Sequence, residues 1–174
     1  MPKRLITVPW LRLNGGAAIG VFGQTAGSVN LVDSSTTGFN AGPFALPDWI
    51  DTTREIAAYT YIRTILNSAV ASKFVDLTLW ATAVNIGAAP TEIPVTILFA
   101  IPNPWVSTDI RRLDFPNGTG LTFPANTFTA QQAVGFALTR NGGSPSDNYT
   151  QTVGVLACVI LEAYVRCQAV CCSG

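Results

Sequence analysis

Histidine is absent from this 174-residue chain, and charge is scarce: 11% of residues are charged, ten basic and ten acidic. An average soluble domain carries about 25% charged residues. Without histidine there is no Ser-His-Asp triad, no Cys-His nucleophile pair, no His-ligated zinc and no histidine pH switch. A net charge of zero offers no basic face to neutralise phosphates, so nucleic-acid binding is not expected. The basic pairs Lys3-Arg4 and Arg111-Arg112 are short and read as solvated or salt-bridged surface. Zero net charge also removes like-charge repulsion between copies, which suits a protein that associates.

Long apolar runs are missing too, although mean hydropathy is +0.35. A spanning helix needs about 20 predominantly apolar residues. The two uncharged stretches, 13–32 and 115–139, are broken by Gly, Asn, Gln and Pro. The start, Met1-Pro2-Lys3-Arg4, lacks the apolar stretch of a signal peptide, so an unprocessed soluble chain is expected. On that expectation the glycosylation patterns Asn117-Gly118-Thr119 and Asn148-Tyr149-Thr150 read as coincidence. No linker or repeat divides the sequence, so residues 1–174 are expected to form a single domain with a C-terminal tail from about 167.

What is present is a recurring strand signal: short runs rich in Val, Ile, Thr, Phe, Tyr and Trp between Gly, Pro, Asn and Ser clusters. Strands are expected over 4–13, 18–22, 28–33, 74–86, 91–101, 111–115, 120–124, 133–140 and 149–166. The second and third read as a hairpin, Pro9 as an edge or bulge, and Asn141-Gly142-Gly143 as a tight turn. Residues 34–51, punctuated by Gly38, Gly42, Pro43 and Pro47, read as a long loop. Residues 51–73 are ambiguous. Thr52 and Glu55 match a capping box, but the run Tyr59-Thr60-Tyr61-Ile62-Arg63-Thr64 favours a pleated surface, so a strand after a single helical turn is expected. The last run is apolar on both faces and long enough to bend or to pass into a neighbour. The expected fold is all-β: a single jelly-roll β-barrel or sandwich of about eight strands with long loops.

Four cysteines fall late, at Cys158, Cys167, Cys171 and Cys172. They lack the paired knuckles of a zinc site. Cys158 reads as a small buried apolar residue, and one of the tail cysteines is placed to bridge to another chain. The carboxylate pairs Asp48/Asp51 and Asp109/Asp114 read as turn caps or arginine partners, although a hydrolase would need such a pair across a cleft. No catalytic residue, cofactor or metal site is named by the sequence. Trp80 reads as core. Trp49 and Trp105, each following a Pro within two residues in Leu-Pro-Asp-Trp and Pro-Asn-Pro-Trp, read as loop anchors, subunit contacts or sugar-stacking rings.

The segments Val75-Asp76-Leu77-Thr78-Leu79-Trp80-Ala81-Thr82 and Ile93-Pro94-Val95-Thr96-Ile97-Leu98-Phe99-Ala100, with the Thr/Asn/Gly/Pro-rich loops, resemble viral capsid proteins. In size and texture the chain is similar to the small major capsid protein of tailless icosahedral, internal-membrane phages of thermophiles (the sphaerolipovirus-like group). That resemblance implies an upright single barrel, a homodimer that joins a second, larger capsid protein into a shell in the virion, and contact with the internal viral membrane. The few lysines and glutamates depart from the ion-pair-rich habit of thermophile proteins. The expected subunit contacts are Tyr164, Val165, Cys167, Val170, Cys171, Cys172, Trp49 and Trp105, with much of the apolar surplus between subunits. The alternative reading is a carbohydrate-binding β-sandwich module.

Overall fold

A computed structural model describes the chain apart from residues 15–16, 23–25, 34–35, 70, 85, 116–121 and 167–174, and apart from the side chains of residues 10, 11, 14, 18–22, 26, 27, 157 and 158. Ten strands run in chain order: β1 (Lys3–Asn14), β2 (Ala18–Phe22), β3 (Ala26–Leu31), β4 (Thr36–Ala45), β5 (Ile56–Thr64), β6 (Phe74–Ala83), β7 (Thr91–Ala100), β8 (Arg111–Phe115), β9 (Ala133–Asn141) and β10 (Val153–Tyr164). All pairings are antiparallel, and no helix occurs among the described residues. The molecule is a jelly-roll-like β-sandwich.

Sheet A holds β8, β5 and β10, with β10 paired on its other side to the start of β1 and to β3, and β2 beyond β3. Sheet B runs β1-β4-β9-β6-β7. Strand β1 serves both sheets: Lys3 to Pro9 pair with β10, a register shift falls between Trp10 and Arg12, and the remainder pairs with β4. Pro9 lacks an N–H for the ladder, so a switch of sheets beside it costs little hydrogen bonding.

The two-residue period of a strand decides which side chains meet between the sheets. On β6, Leu77, Leu79 and Ala81 are wholly enclosed, as are Val134 and Leu138 on β9. Sheet A answers with Val29, Leu31, Ile62, Val153, Val159 and Leu161. Fully burying side chains of this size contributes roughly 1.5–3 kcal/mol each, which is what holds the sheets face to face.

Three expectations are corrected here. The long loop expected over 34–51 contains β4, because the residues that read as punctuation have places in a strand. A Cβ on Gly38 would lie 2.3 Å from the Leu138 carbonyl oxygen, so glycine lets β4 and β9 close up. Gly42, at φ +87, sits in the register shift between Ala41 and Phe44. The expected strand at 120–124 is a single bridge from Phe123 to Ile56 within the described residues. The last strand is shorter than the expected 149–166: it runs from Val153 to Tyr164 and, of the two expected alternatives, fits the bend, pairing with β1, β3 and β5 of its own chain with a register shift between Leu156 and Ile160. At 51–73 the strand reading holds, as β5. The turn before it is closed by Asp51, whose Oδ1 accepts from the Thr53 amide at 3.1 Å.

One polar knot organises the end of the sandwich. Arg140 of β9 is completely enclosed and donates to both oxygens of the equally enclosed Asp147 side chain, each at 2.8 Å. It also reaches Asp33 Oδ1 at 3.2 Å and the carbonyls of Leu31, Gln151 and Tyr149. Asp147 Oδ2 in turn accepts from the Asp76 amide. The guanidinium thus supplies a positive charge at the centre of six oxygens, the donor set that a calcium ion would otherwise take. Removing divalent cations with EDTA is therefore expected to leave the melting temperature unchanged. A fall of several degrees, restored by added calcium, would contradict this.

Candidate functional site

The two outer faces of the sandwich differ in chemistry. On sheet A two pairs of charged side chains satisfy one another. Lys3 pairs with Glu162 at 2.9 Å, and Arg112 pairs with Asp114 at 2.6 Å while its guanidinium covers the Tyr59 ring at 3.8 Å. The hydrogen bond to Asp114 raises the Arg112 pKa, and burial raises that of Tyr59.

Sheet B presents the opposite case, a shallow groove of about 500 Å³, within the ~300–1,000 Å³ range of small-molecule sites. Strand register builds it row by row. Across the middle run Pro94 of β7, Trp80 of β6, Ala137 of β9 and Asn40 of β4. The next row holds Glu92, Thr82 and Gly135, with Gly42 and Pro43 walling the far side. On the other side lie Thr96, Thr78, Thr139 and Gly38.

Trp80 is the aromatic body of this groove. Its ring is half-buried, and its Nε1–H points at Thr139 Oγ1, 3.4 Å away. With that polar edge turned to the protein, the surface left to a ligand is the carbon face of the indole. The floor beside it stays low because the facing positions are small, Ala137 and Gly135. A Cβ built on Gly135 would meet only the Ala41 carbonyl oxygen, at 3.9 Å. The groove therefore exists because β9 offers no bulk where β6 offers a tryptophan. Lining hydroxyl, amide and carboxyl groups come from Thr82, Asn40 and Glu92.

Gly135→Val gives a direct test of this geometry. Valine favours strands and the glycine pays an entropic cost there, so the variant is expected to match or slightly exceed wild-type thermal stability. Its isopropyl group would stand in the groove and lower ligand affinity at least about ten-fold. Calorimetry and a binding titration on the same preparation check both halves.

The residues singled out in the sequence are dispersed. Trp105 is fully enclosed, edge-on to Phe99 and tilted against Tyr149, and its Nε1–H donates to the Asp109 carbonyl at 2.9 Å. Its ring is therefore available neither to a partner nor to a sugar, which corrects its place among the surface contacts. Trp49 is half-buried against the core, with the Arg4 guanidinium 5.6 Å from its ring. Tyr164 lies between Lys3 and Arg54, and Val165 bridges Ile50. Cys167, Val170, Cys171 and Cys172 lie outside the described residues. Asp109 and Asp114 serve Arg111 and Arg112, and Asp51 closes its turn. Trp80, expected in the core, faces outward. A tryptophan amid Leu77, Leu79 and Ala81 reads as core until the register shows it on the other parity.

No family model matches the chain, and no curated protein matches it. Among solved structures the chain is similar to TmCBM61, solved in complex with beta-1,4-galactotriose, at 10% identity and a TM-score of 0.43 over 94% of this chain and 89% of that one. It is also similar to the CBM22-1 xylan-binding domain of Paenibacillus barcinonensis Xyn10C, at 10% identity and a TM-score of 0.46 over 90% and 86%. A third neighbour is infectious bursal disease virus, Gt strain, at 11% identity and a TM-score of 0.38 over 92% of this chain and 32% of that one.

These findings correct the expectation of a phage capsid subunit. The similar structures are mainly carbohydrate-binding modules, and none of those named above is an internal-membrane phage protein. Of the features that motivated a shell, the charge-poor neutral surface, the all-β pattern and the over-long final strand, the last is paired within its own sandwich from Val153 to Tyr164.

Proposed function

We propose that this chain is a carbohydrate-binding β-sandwich module whose ligand lies across the outer face of sheet B, with a sugar ring stacked on Trp80. The observation that carries the reading is the groove itself. An indole presents its carbon face over a floor of Ala137 and Gly135, rimmed by Thr82, Asn40 and Glu92. A pyranose offers the complement of that surface: an axial C–H face to stack on an aromatic ring and equatorial hydroxyls to exchange hydrogen bonds around it. The role proposed is binding: among the described residues the groove brings one carboxylate, Glu92, to the ligand, whereas glycoside hydrolysis canonically takes two.

Affinity electrophoresis through gels containing soluble neutral polysaccharides tests the proposal. Retardation by at least one polysaccharide, lost in Gly135→Val, is expected. Free migration in all of them, confirmed by titration with soluble oligosaccharides, would overturn it.

A further inference from the structure

The charge around the groove goes one step further. Glu92 is the one charged residue lining it among the described residues, and it is exposed, with no ion pair among them. Its place follows from register. Trp80 pairs with Pro94, and Glu92 lies two residues along β7 on the same face, a diagonal spacing of about 7–8 Å. A ring stacked on Trp80 therefore brings its edge within reach of the Glu92 carboxylate.

Cations stand away from Glu92. Arg12 ends the Trp80 row on β1, beside Asn40 at the β4 side of the groove and three strands from Trp80, or about 14 Å at 4.7–4.9 Å per strand. Arg111 and Arg112 belong to β8 of sheet A and are paired there. Arg140 is enclosed beneath sheet B and held by Asp147 and Asp33. Lys73 precedes β6, at the end away from Thr82 and Glu92.

We infer, resting on the glycan reading above, that the groove selects uncharged glycans and rejects those carrying carboxylate or sulfate, with Glu92 as the residue that sets the selection. A hydroxyl-bearing ring can donate to the Glu92 carboxylate, whereas a uronate ring stacked on Trp80 brings a second anion to the β6–β7 side of the groove, where no cation stands among the described residues. Two like charges about 6 Å apart in a half-wetted groove weaken binding roughly ten-fold at low ionic strength, and salt shrinks that penalty.

Matched pairs isolate charge from sugar shape. The protein is titrated with neutral glucan, galactan and mannan oligosaccharides and with the same oligosaccharides oxidised at C6 to the uronates, at low and at high salt. The neutral member of the pair that binds should win by roughly ten-fold at low salt and by less at high salt. Glu92→Gln should bring the two members within about two-fold, read as the ratio of the two affinities so that any loss of hydrogen bonding common to both members cancels. Equal or tighter binding of the uronate, or a gap that survives Glu92→Gln, overturns the selectivity and leaves the glycan reading standing. No binding of any member, neutral or oxidised, overturns the glycan reading itself.

Discussion

Arg140→Ala is expected to cost about 3–5 kcal/mol of folding stability, the range for removing one partner of a buried ion pair. The size of the effect comes from what stays behind. Asp147 has a fully enclosed side chain whose two oxygens both accept from the guanidinium. The carbonyls of Leu31, Gln151 and Tyr149 lose a donor at the same moment. These groups belong to the end of β3 and to the connection between β9 and β10, so the fold loses the tie between both sheets at that end. Arg140→Lys keeps the charge but not the planar fork, and is expected to fall between wild type and alanine. Urea unfolding monitored by tryptophan fluorescence reads both. A loss below about 1 kcal/mol for the alanine variant would mean that the knot contributes little.

Trp80→Ala is expected to lower glycan affinity at least about 30-fold, the equivalent of about 2 kcal/mol for a buried aromatic anchor. The ring is the largest apolar surface in the groove, and its N–H is already engaged by Thr139. What the variant removes is therefore the stacking face rather than a hydrogen bond to the sugar. Trp80→Phe should restore part of the affinity, since a smaller ring still stacks. Titration calorimetry on folded variants, checked by melting curves, separates this from misfolding. An alanine variant that binds within two-fold of wild type would place the ligand elsewhere.

Much of the sandwich was legible in the residues. Leu77, Leu79, Ala81 and Ala83 alternate with Asp76, Thr78, Trp80 and Thr82, and β6 buries the whole first set while Trp80 and Thr82 stay partly exposed. The hairpin of β2 and β3, β8 over residues 111–115, and the strand over 56–64 were likewise readable from β-branched and aromatic runs between breakers. Strand β4 was not, because Gly38, Gly42 and Pro43 carry the composition of a loop. Glycine at position 38 answers to the closeness of a neighbouring strand, and that neighbour is about a hundred residues away in sequence.

The site was less legible than the fold for the same reason. Trp80 was visible as a residue, but its exposure depends on Ala137 and Gly135 standing opposite it, a pairing set by register between β6 and β9. Trp49 and Trp105 drew notice because prolines place them in loops, yet Trp105 turns inward to fill the space beside Phe99 and Tyr149. The scarcity of charge was informative in a different way. It left the groove with one charged lining residue among the described residues, Glu92.

The most direct test of the account maps the ligand onto the molecule. A neutral oligosaccharide that binds is titrated into isotopically labelled protein, and amide and indole shifts are followed by nuclear magnetic resonance. The expected shifts fall on the Trp80 indole, Thr82, Gly135, Ala137 and Asn40, while Tyr59, Tyr61 and Glu162 on sheet A stay in place. Shifts gathered on sheet A, with the Trp80 indole unmoved, would contradict the assignment of the groove as the binding face.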